Sequence, residues 1–437
     1  MSLVHPNGLV CAVSELDLHA VSVTQKDIIK SQVITKTTNN ALTDNTETFD
    51  FTFESSALYT DLSEAELYLE VEVVNADGEV LTVAVEAAPV NNLAHALFDS
   101  VQLLVNNEKV TGNNDEYAMK AQILDVLGVE QRDKDTRLKG CQKWMADTAG
   151  HMDERVAANV GWTKRRAEFS ARRTHALLMR PHLDMLKQCK LLPSNCPLKF
   201  IFERSSPEFY MVQAADQTFK VRILKAEMSL RQVVVRDEVV LVHNKAVMTR
   251  DLGPFNYPIT RVKVTKHTLD PGSQEYSWSQ PDTTQIPSRL VLALVKETAS
   301  SGTKTENPFN FQHYSVREAA VKFDDQKFEV KTNFGAGNTV RAYNNLFRET
   351  GLLATGLDCG ITLEDFQAGY TLLAFDLTPD KAPEAARINL LKQGKLNISL
   401  RFQTATGHAV SVIVCSFYDN IVQLTADRLP VTDYYMT

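Results

Sequence analysis

The chain has 437 residues, 44% of them apolar and 23% charged, with a formal net charge of -8. That length exceeds what one hydrophobic core usually holds, so two domains are expected, and the composition excludes a disordered, fibrous or membrane-embedded chain. The acidic balance argues against a surface that binds nucleic acid as a whole, so any contact with a genome must be local.

No apolar run approaches the roughly 20 residues a transmembrane helix needs. Met1 to Ala12 lacks the basic start and long apolar stretch of a signal peptide, so the chain is expected to be made and kept inside a cell. The six cysteines (Cys11, Cys141, Cys189, Cys196, Cys359, Cys415) are scattered with no CxxC pair, which reads as small buried hydrophobes in a reducing compartment rather than a zinc site.

Residues 1–45 are polar and weakly patterned, with loop signals at Asn39-Asn40 and Asp44-Asn45, and read as a partly extended arm. Strand alternation then begins. Phe49, Phe51 and Phe53 share one face, and Leu67, Leu69, Val71 and Val73 alternate with Glu66, Tyr68, Glu70 and Glu72. Asp77-Gly78 turns the chain toward Val80 and the run to Val85. Residues 46–235 are read as a first β domain, interrupted by an insertion over 117–173. Tyr117 to Leu127 has helical spacing closed by Gly128. The part from 130 onward is charged and irregular, and contains Trp144, Trp162 and the basic cluster Lys164, Arg165, Arg166, Arg172 and Arg173. A linker helix over 236–256, capped by Asp237, is followed by a second β domain over 257–424, in which Leu290 to Val295 reads as a well-buried strand. Residues 425–437 form a tail.

Two blocks recur in the same order in both halves. Val101 to Val110 and Ala319 to Phe328 each read as a strand, a two-residue polar turn (Asn106-Asn107, Asp324-Asp325) and a return strand. Each is followed by a helix-like run, opened by Tyr117 or Tyr343. Then His175 to Met179 leads through Lys190-Leu191-Leu192 to Leu198–Phe202, as Tyr370 to Phe375 leads through Asn389-Leu390-Leu391 to Leu396–Leu400. Self-similarity at half the chain length points to two copies of one domain. Many short strands with few long helices then give an all-β chain of two tandem jelly-roll sandwiches with helical and loop insertions.

The chemistry-bearing residue types read blandly. His182-Leu183-Asp184 is expected to be a surface pair, because neighbours on one turn do not make a triad. Asp358, Glu364 and Asp365 read as solvated loop charges rather than paired catalytic carboxylates. Asn113-Asn114-Asp115-Glu116 lacks the offsets of a calcium loop and fits helix capping better. No GxxxxGK[ST], GxGxxG, HExxH or GxSxG occurs, so no catalytic residue, cofactor or metal is expected. The basic cluster has two readings: contact with DNA, an acidic inner membrane or a scaffold, or a solvated, subunit-bridging loop, the latter favoured. Trp144 and Trp162 either anchor an interface or plug the base of the roll.

Several stretches resemble a known family. They are Asn91-Asn92 with Leu97-Phe98, Trp144 through Asp147-Thr148-Ala149-Gly150, Asn307 to Phe311, Val340 to Asn344, Gly369-Tyr370 with Phe375 to Asp380, and Lys392-Gln393-Gly394. In this order they resemble the double jelly-roll major capsid proteins of polinton- and adintovirus-like DNA viruses and related integrated elements, over about Leu16 to Val422. The resemblance implies a non-enzymatic homotrimer. Six upright rolls would form a hexon-like, pseudo-hexagonal capsomer that tiles an icosahedral shell around a double-stranded DNA genome. It implies neighbouring capsomers, penton and minor capsid proteins as partners, a genome or internal membrane beneath, and a place in the virion after synthesis in the host cell. The competing expectation is a β-sandwich that binds or hydrolyses glycans.

Overall fold

The structure, a computed structural model, describes residues 21–433 apart from 44–45, 82–84, 113–115, 172–173, 250–252, 281–284 and 383–386, together with positions 7, 16, 18 and 19. Its first half contributes β1 (Ile28–Thr37), β2 (Thr48–Phe53), β3 (Tyr59–Asn75), β4 (Ala87–Pro89), β5 (Phe98–Val105), β6 (Glu108–Lys109), β7 (His175–Met179), β8 (Leu198–Arg204), β9 (Met211–Gln213) and β10 (Phe219–Val235). The second half contributes β11 (Phe255–Leu269), β12 (Glu275–Ser279), β13 (Arg289–Lys296), β14 (Val316–Phe323), β15 (Gln326–Lys331), β16 (Leu372–Asp376), β17 (Leu396–Phe402), β18 (Val410–Leu424) and β19 (Pro430–Thr432).

The two halves have the same topology. In the first, one four-stranded sheet runs β1-β10-β3-β7 and the other β2-β8-β5-β6. In the second, the sheets run β11-β18-β13-β16 and β12-β17-β14-β15, with β19 added on β18. Strand for strand, each order is the other displaced along the chain, and the pairings are antiparallel throughout. This is a doubled jelly roll, in which two facing sheets of each half enclose a core.

Both repeated blocks fall on equivalent strands: the turns join β5 to β6 and β14 to β15, and the later blocks are β7 with β8 and β16 with β17. The turn residues carry the backbone those hairpins need, with positive φ at Asn106 (53°), Asn107 (66°) and Asp324 (49°). Phe49, Phe51 and Phe53 point into the first core, where Phe49 and Phe202 stack at 5.6 Å between ring centroids.

Several details depart from the sequence expectation; among them, Pro430–Thr432, read as tail, is a strand on β18, and Cys189 is exposed. Ile28–Thr37, read as arm, is a strand paired along β10 from Ile28↔Val235 to Thr37↔Glu227, so ordered sheet begins ahead of residue 46. The turn at Asp77-Gly78 forms, with Gly78 at φ 81°, but its return makes an isolated bridge at Val80. The stretch from 130, expected to be irregular, carries a helical segment over 131–141 and the helix Val160–Ala171. The linker helix spans Asp237–Met248 with Arg236 at the capping position, so Asp237 sits in the first turn, where its charge suits the helix dipole.

The two like-positioned sheets are not equally exposed. β13 is buried from Leu290 to Val295 and β18 from Val410 to Tyr418, on both faces. The face turned away from the core is covered by parts of the first half: the helix Tyr117–Gly128 and the turn Asp184–Lys187 pack on β11. Across this seam Val262 N–H donates to Asp184 at 3.2 Å, and Lys266 pairs with Glu116 at 3.3 Å. The matching sheet of the first half is open on that face, so β10 alternates in burial and β1 is exposed along nearly its whole length. One apolar cluster nevertheless runs through both rolls.

Candidate functional site

The insertion of the first roll builds the junction with the second. Asp147 lies buried at its centre. The Arg165 guanidinium, 0% exposed, donates to Asp147 Oδ1 at 2.6 Å, to the Pro89 carbonyl at 2.7 Å and to the Met145 carbonyl. The other Asp147 oxygen accepts from Asn307 Nδ2 of the second roll at 2.9 Å, and the Tyr370 hydroxyl donates to the Asp147 carbonyl at 3.0 Å. Asp153 accepts from the Asn307 N–H at 2.7 Å and from Asn310 Nδ2 at 2.6 Å. Burial pushes its carboxyl above the usual range, and those two hydrogen bonds only partly offset the effect. Farther along the seam Lys134 donates to the carbonyls of Val126 (2.6 Å) and Cys359 (2.8 Å), and burial pushes its amine down to about 8.

These contacts place the basic cluster. Arg165 is committed to the interior. Arg166 donates from Nε to the Val85 carbonyl at 2.6 Å and lies over the Trp162 ring at 5.5 Å. Lys164 is exposed on the same helix, and Arg172 and Arg173 lie outside the described residues. Trp162 is buried, its indole N–H donating to the Val212 carbonyl at 3.2 Å, and Trp144 is buried with Lys134 at 5.5 Å from its ring centre. Gly161 allows the helix to lie this close: a Cβ there would sit 2.2 Å from the Ala146 carbonyl oxygen. The Asp147–Asn307 link could not be found from spacing, because its members are far apart in the chain.

His182 and Asp184 are not the surface pair expected of them. Their side chains diverge: Asp184 accepts from Lys120 Nζ at 2.7 Å in a buried ion pair, and His182 Nε2 lies 2.9 Å from Asp125 Oδ1. Asp125 Oδ2 accepts from Asn92 Nδ2 at 2.6 Å and lies 3.8 Å from His95 Nε2. His95 Nδ1 contacts the Tyr117 hydroxyl at 2.9 Å, which in turn accepts from the His182 N–H at 3.1 Å. Burial pushes His95 down to about 3 and keeps it neutral. Burial alone would raise Asp125, but the His182 imidazole and its hydrogen bond, aided by Asn92, hold the carboxyl well below its usual range. Nothing in local spacing signals this cluster, since its residues come from three separate segments.

The carboxylates near residue 360 are used locally. Asp365 closes a capping box with Thr362, Asp358 accepts from the Gly360 N–H at 2.8 Å, and Glu364 lies in the first turn of the same helix as Asp365. The Asn113–Asp115 loop lies outside the described residues.

Exposed apolar side chains include those of β1 and of the linker helix. β1 presents Ile29 and Val33 along an unpaired strand edge, and the linker helix presents Leu241, Val242 and Met248. Between them lies a groove of about 540 Å³ lined by Ile28, Tyr59, Leu191, Val239, Phe255 and Tyr257.

No protein-family model matches the chain. It is 24% identical over 374 residues to the uncharacterized protein F54H12.2 of Caenorhabditis elegans, spanning 83% of this chain and 85% of that one. Among solved structures it is similar to a chain of the Sputnik virophage (TM-score 0.64, 11% identity, 99% of this chain and 94% of that one). It is also similar to the mavirus major capsid protein (TM-score 0.54, 10% identity, 99% and 97%). The Faustovirus major capsid protein matches with TM-score 0.56 and 8% identity over 93% and 92%. The fold is thus the double jelly roll of viral major capsid proteins, matched over nearly the full length of each chain.

Proposed function

We propose that this chain is a major capsid protein. The observation that carries this reading is the doubled roll: two sandwiches of one topology, joined in one subunit and matched over nearly their whole length by the mavirus major capsid protein and a Sputnik virophage chain. Three such subunits in a closed ring present six similar sides, so one protein can pack in a hexagonal lattice. The function is assembly rather than catalysis. The capsomer is a homotrimer that tiles an icosahedral shell around double-stranded DNA, with penton and minor capsid proteins completing it, in a virion of the polinton- and adintovirus-like class. The exposed edge of β1 and the apolar linker helix supply subunit contacts. Trp144 and Trp162 hold the junction from within. Lys164, exposed among the described members of the basic cluster, is open to an acidic partner such as the genome or an internal membrane.

Light scattering on the purified full chain tests this. A stable trimer, with hexagonal particles or shells by electron microscopy, is expected. A chain that stays monomeric at all concentrations and forms no particles overturns the reading.

A further inference from the structure

We propose that His95, Asp125 and His182 form a binding site for a divalent transition-metal ion of the zinc type. The candidate ligand atoms of the three side chains all lie within 4.8 Å of one another. Two imidazole nitrogens and one carboxylate oxygen suit zinc, and match neither the all-oxygen shells of calcium and magnesium nor the thiolate sets of cysteine-rich sites. Ligand atoms about 2.0 Å from a tetrahedral zinc ion are roughly 3.3 Å apart. His182 Nε2 lies 2.9 Å from Asp125 Oδ1 and His95 Nε2 3.8 Å from Asp125 Oδ2, and with the three candidate atoms within 4.8 Å of one another the side chains would draw together around the ion.

The surroundings are those of a built site. Tyr117 holds the far nitrogen of His95 and so orients the ring, and Asn92 holds the carboxylate, the two kinds of support that metal ligands usually receive. His95 Nε2 is buried and aimed at Asp125, yet finds no hydrogen-bond partner among the described residues. Asn92 Oδ1 in the same cluster is also without one. Leaving such atoms unsatisfied carries a desolvation cost, and a metal ion would remove that cost for the imidazole. Lys120 is matched by Asp184, which leaves the Asp125 carboxylate as the local anion for the ion. His182, with its side chain 17% exposed, gives a way in. The ligands come from the helix Leu93–Ala96, the helix Tyr117–Gly128 and the segment after β7, so an ion here would pin together the part of the first roll that covers the second.

The full-length chain, stripped with a chelator, would be titrated with Co2+ and then Zn2+. One equivalent of Co2+ should bind with the visible absorption of a tetrahedral nitrogen–oxygen site, Zn2+ should displace it, and zinc should raise the unfolding temperature. H182Q, at the rim, should weaken binding by about 100-fold or more, and Y117F by about 10- to 100-fold as a supporting contact. Absence of stoichiometric binding to the wild type overturns the proposal, as does wild-type affinity in H182Q. X-ray absorption of the zinc-loaded wild type decides without any variant: two imidazoles with oxygen are expected, and a shell containing sulfur rejects the site.

Discussion

Arg165 shows how a basic residue can serve the interior. Its acceptors at Pro89, Met145 and Asp147 are buried with it, and its carboxylate partner also binds the second roll. R165M should therefore cost about 3–5 kcal/mol in denaturant unfolding, because it leaves Asp147 as an uncompensated buried charge. The double variant R165M/D147N should cost less than the sum of the two single changes, and strict additivity would show that the pair is not coupled. Cys415 gives a pH prediction. Burial pushes its thiol from 9.0 up to about 12, so the folded chain holds the proton longer than the unfolded chain. Its contribution to stability is complete below pH 9 and is lost as pH rises from about 9 to 12, with a slope of at most about 1.4 kcal/mol per pH unit. C415V should flatten the alkaline limb of stability against pH, and an unchanged slope would assign that limb to other groups, such as the buried tyrosines.

Among the elements, the β5–β6 hairpin depends on two residues with positive φ. N107G should be neutral or slightly stabilising, whereas N107V should cost on the order of 1–2 kcal/mol in thermal or denaturant unfolding, since a β-branched side chain resists that backbone. Equal effects of the two changes would argue against the strained turn. The linker helix poses the opposite case. Its sequence has apolar residues at Val239, Val240 and Val242, as a core helix would, yet Leu241 and Val242 remain 68% and 63% exposed. L241D/V242D should leave the unfolding temperature of the isolated subunit nearly unchanged while abolishing the proposed trimer in light scattering. A full trimer in this variant would remove the helix from the subunit contacts.

At the scale of the molecule, the two rolls share a topology but not a surface. The insertion of the first roll covers the outer sheet of the second, while the matching sheet of the first roll stays open. In a closed ring, the open face is where the next subunit's second roll would come to lie, which makes the exposed β1 edge part of the same proposed contact. Much of this architecture was legible from particular residues. The Asn106-Asn107 and Asp324-Asp325 turns, and the runs ending in Phe202 and Leu400, marked equivalent strands because hairpin turns and strand alternation are local signals. The ordered strand at Ile28–Thr37 was missed because an edge strand exposed along nearly its whole length shows no alternation of buried and wet positions to read.

The sequence by itself determined the two rolls, their order and their hairpins, because turn chemistry and period-two burial act between near neighbours in the chain. Tertiary structure alone decided that Arg165 faces inward, that Asp147 joins Asn307, and that His95, Asp125 and His182 meet. Those contacts join residues up to 160 positions apart, and no local pattern encodes which distant side chains a fold will bring together.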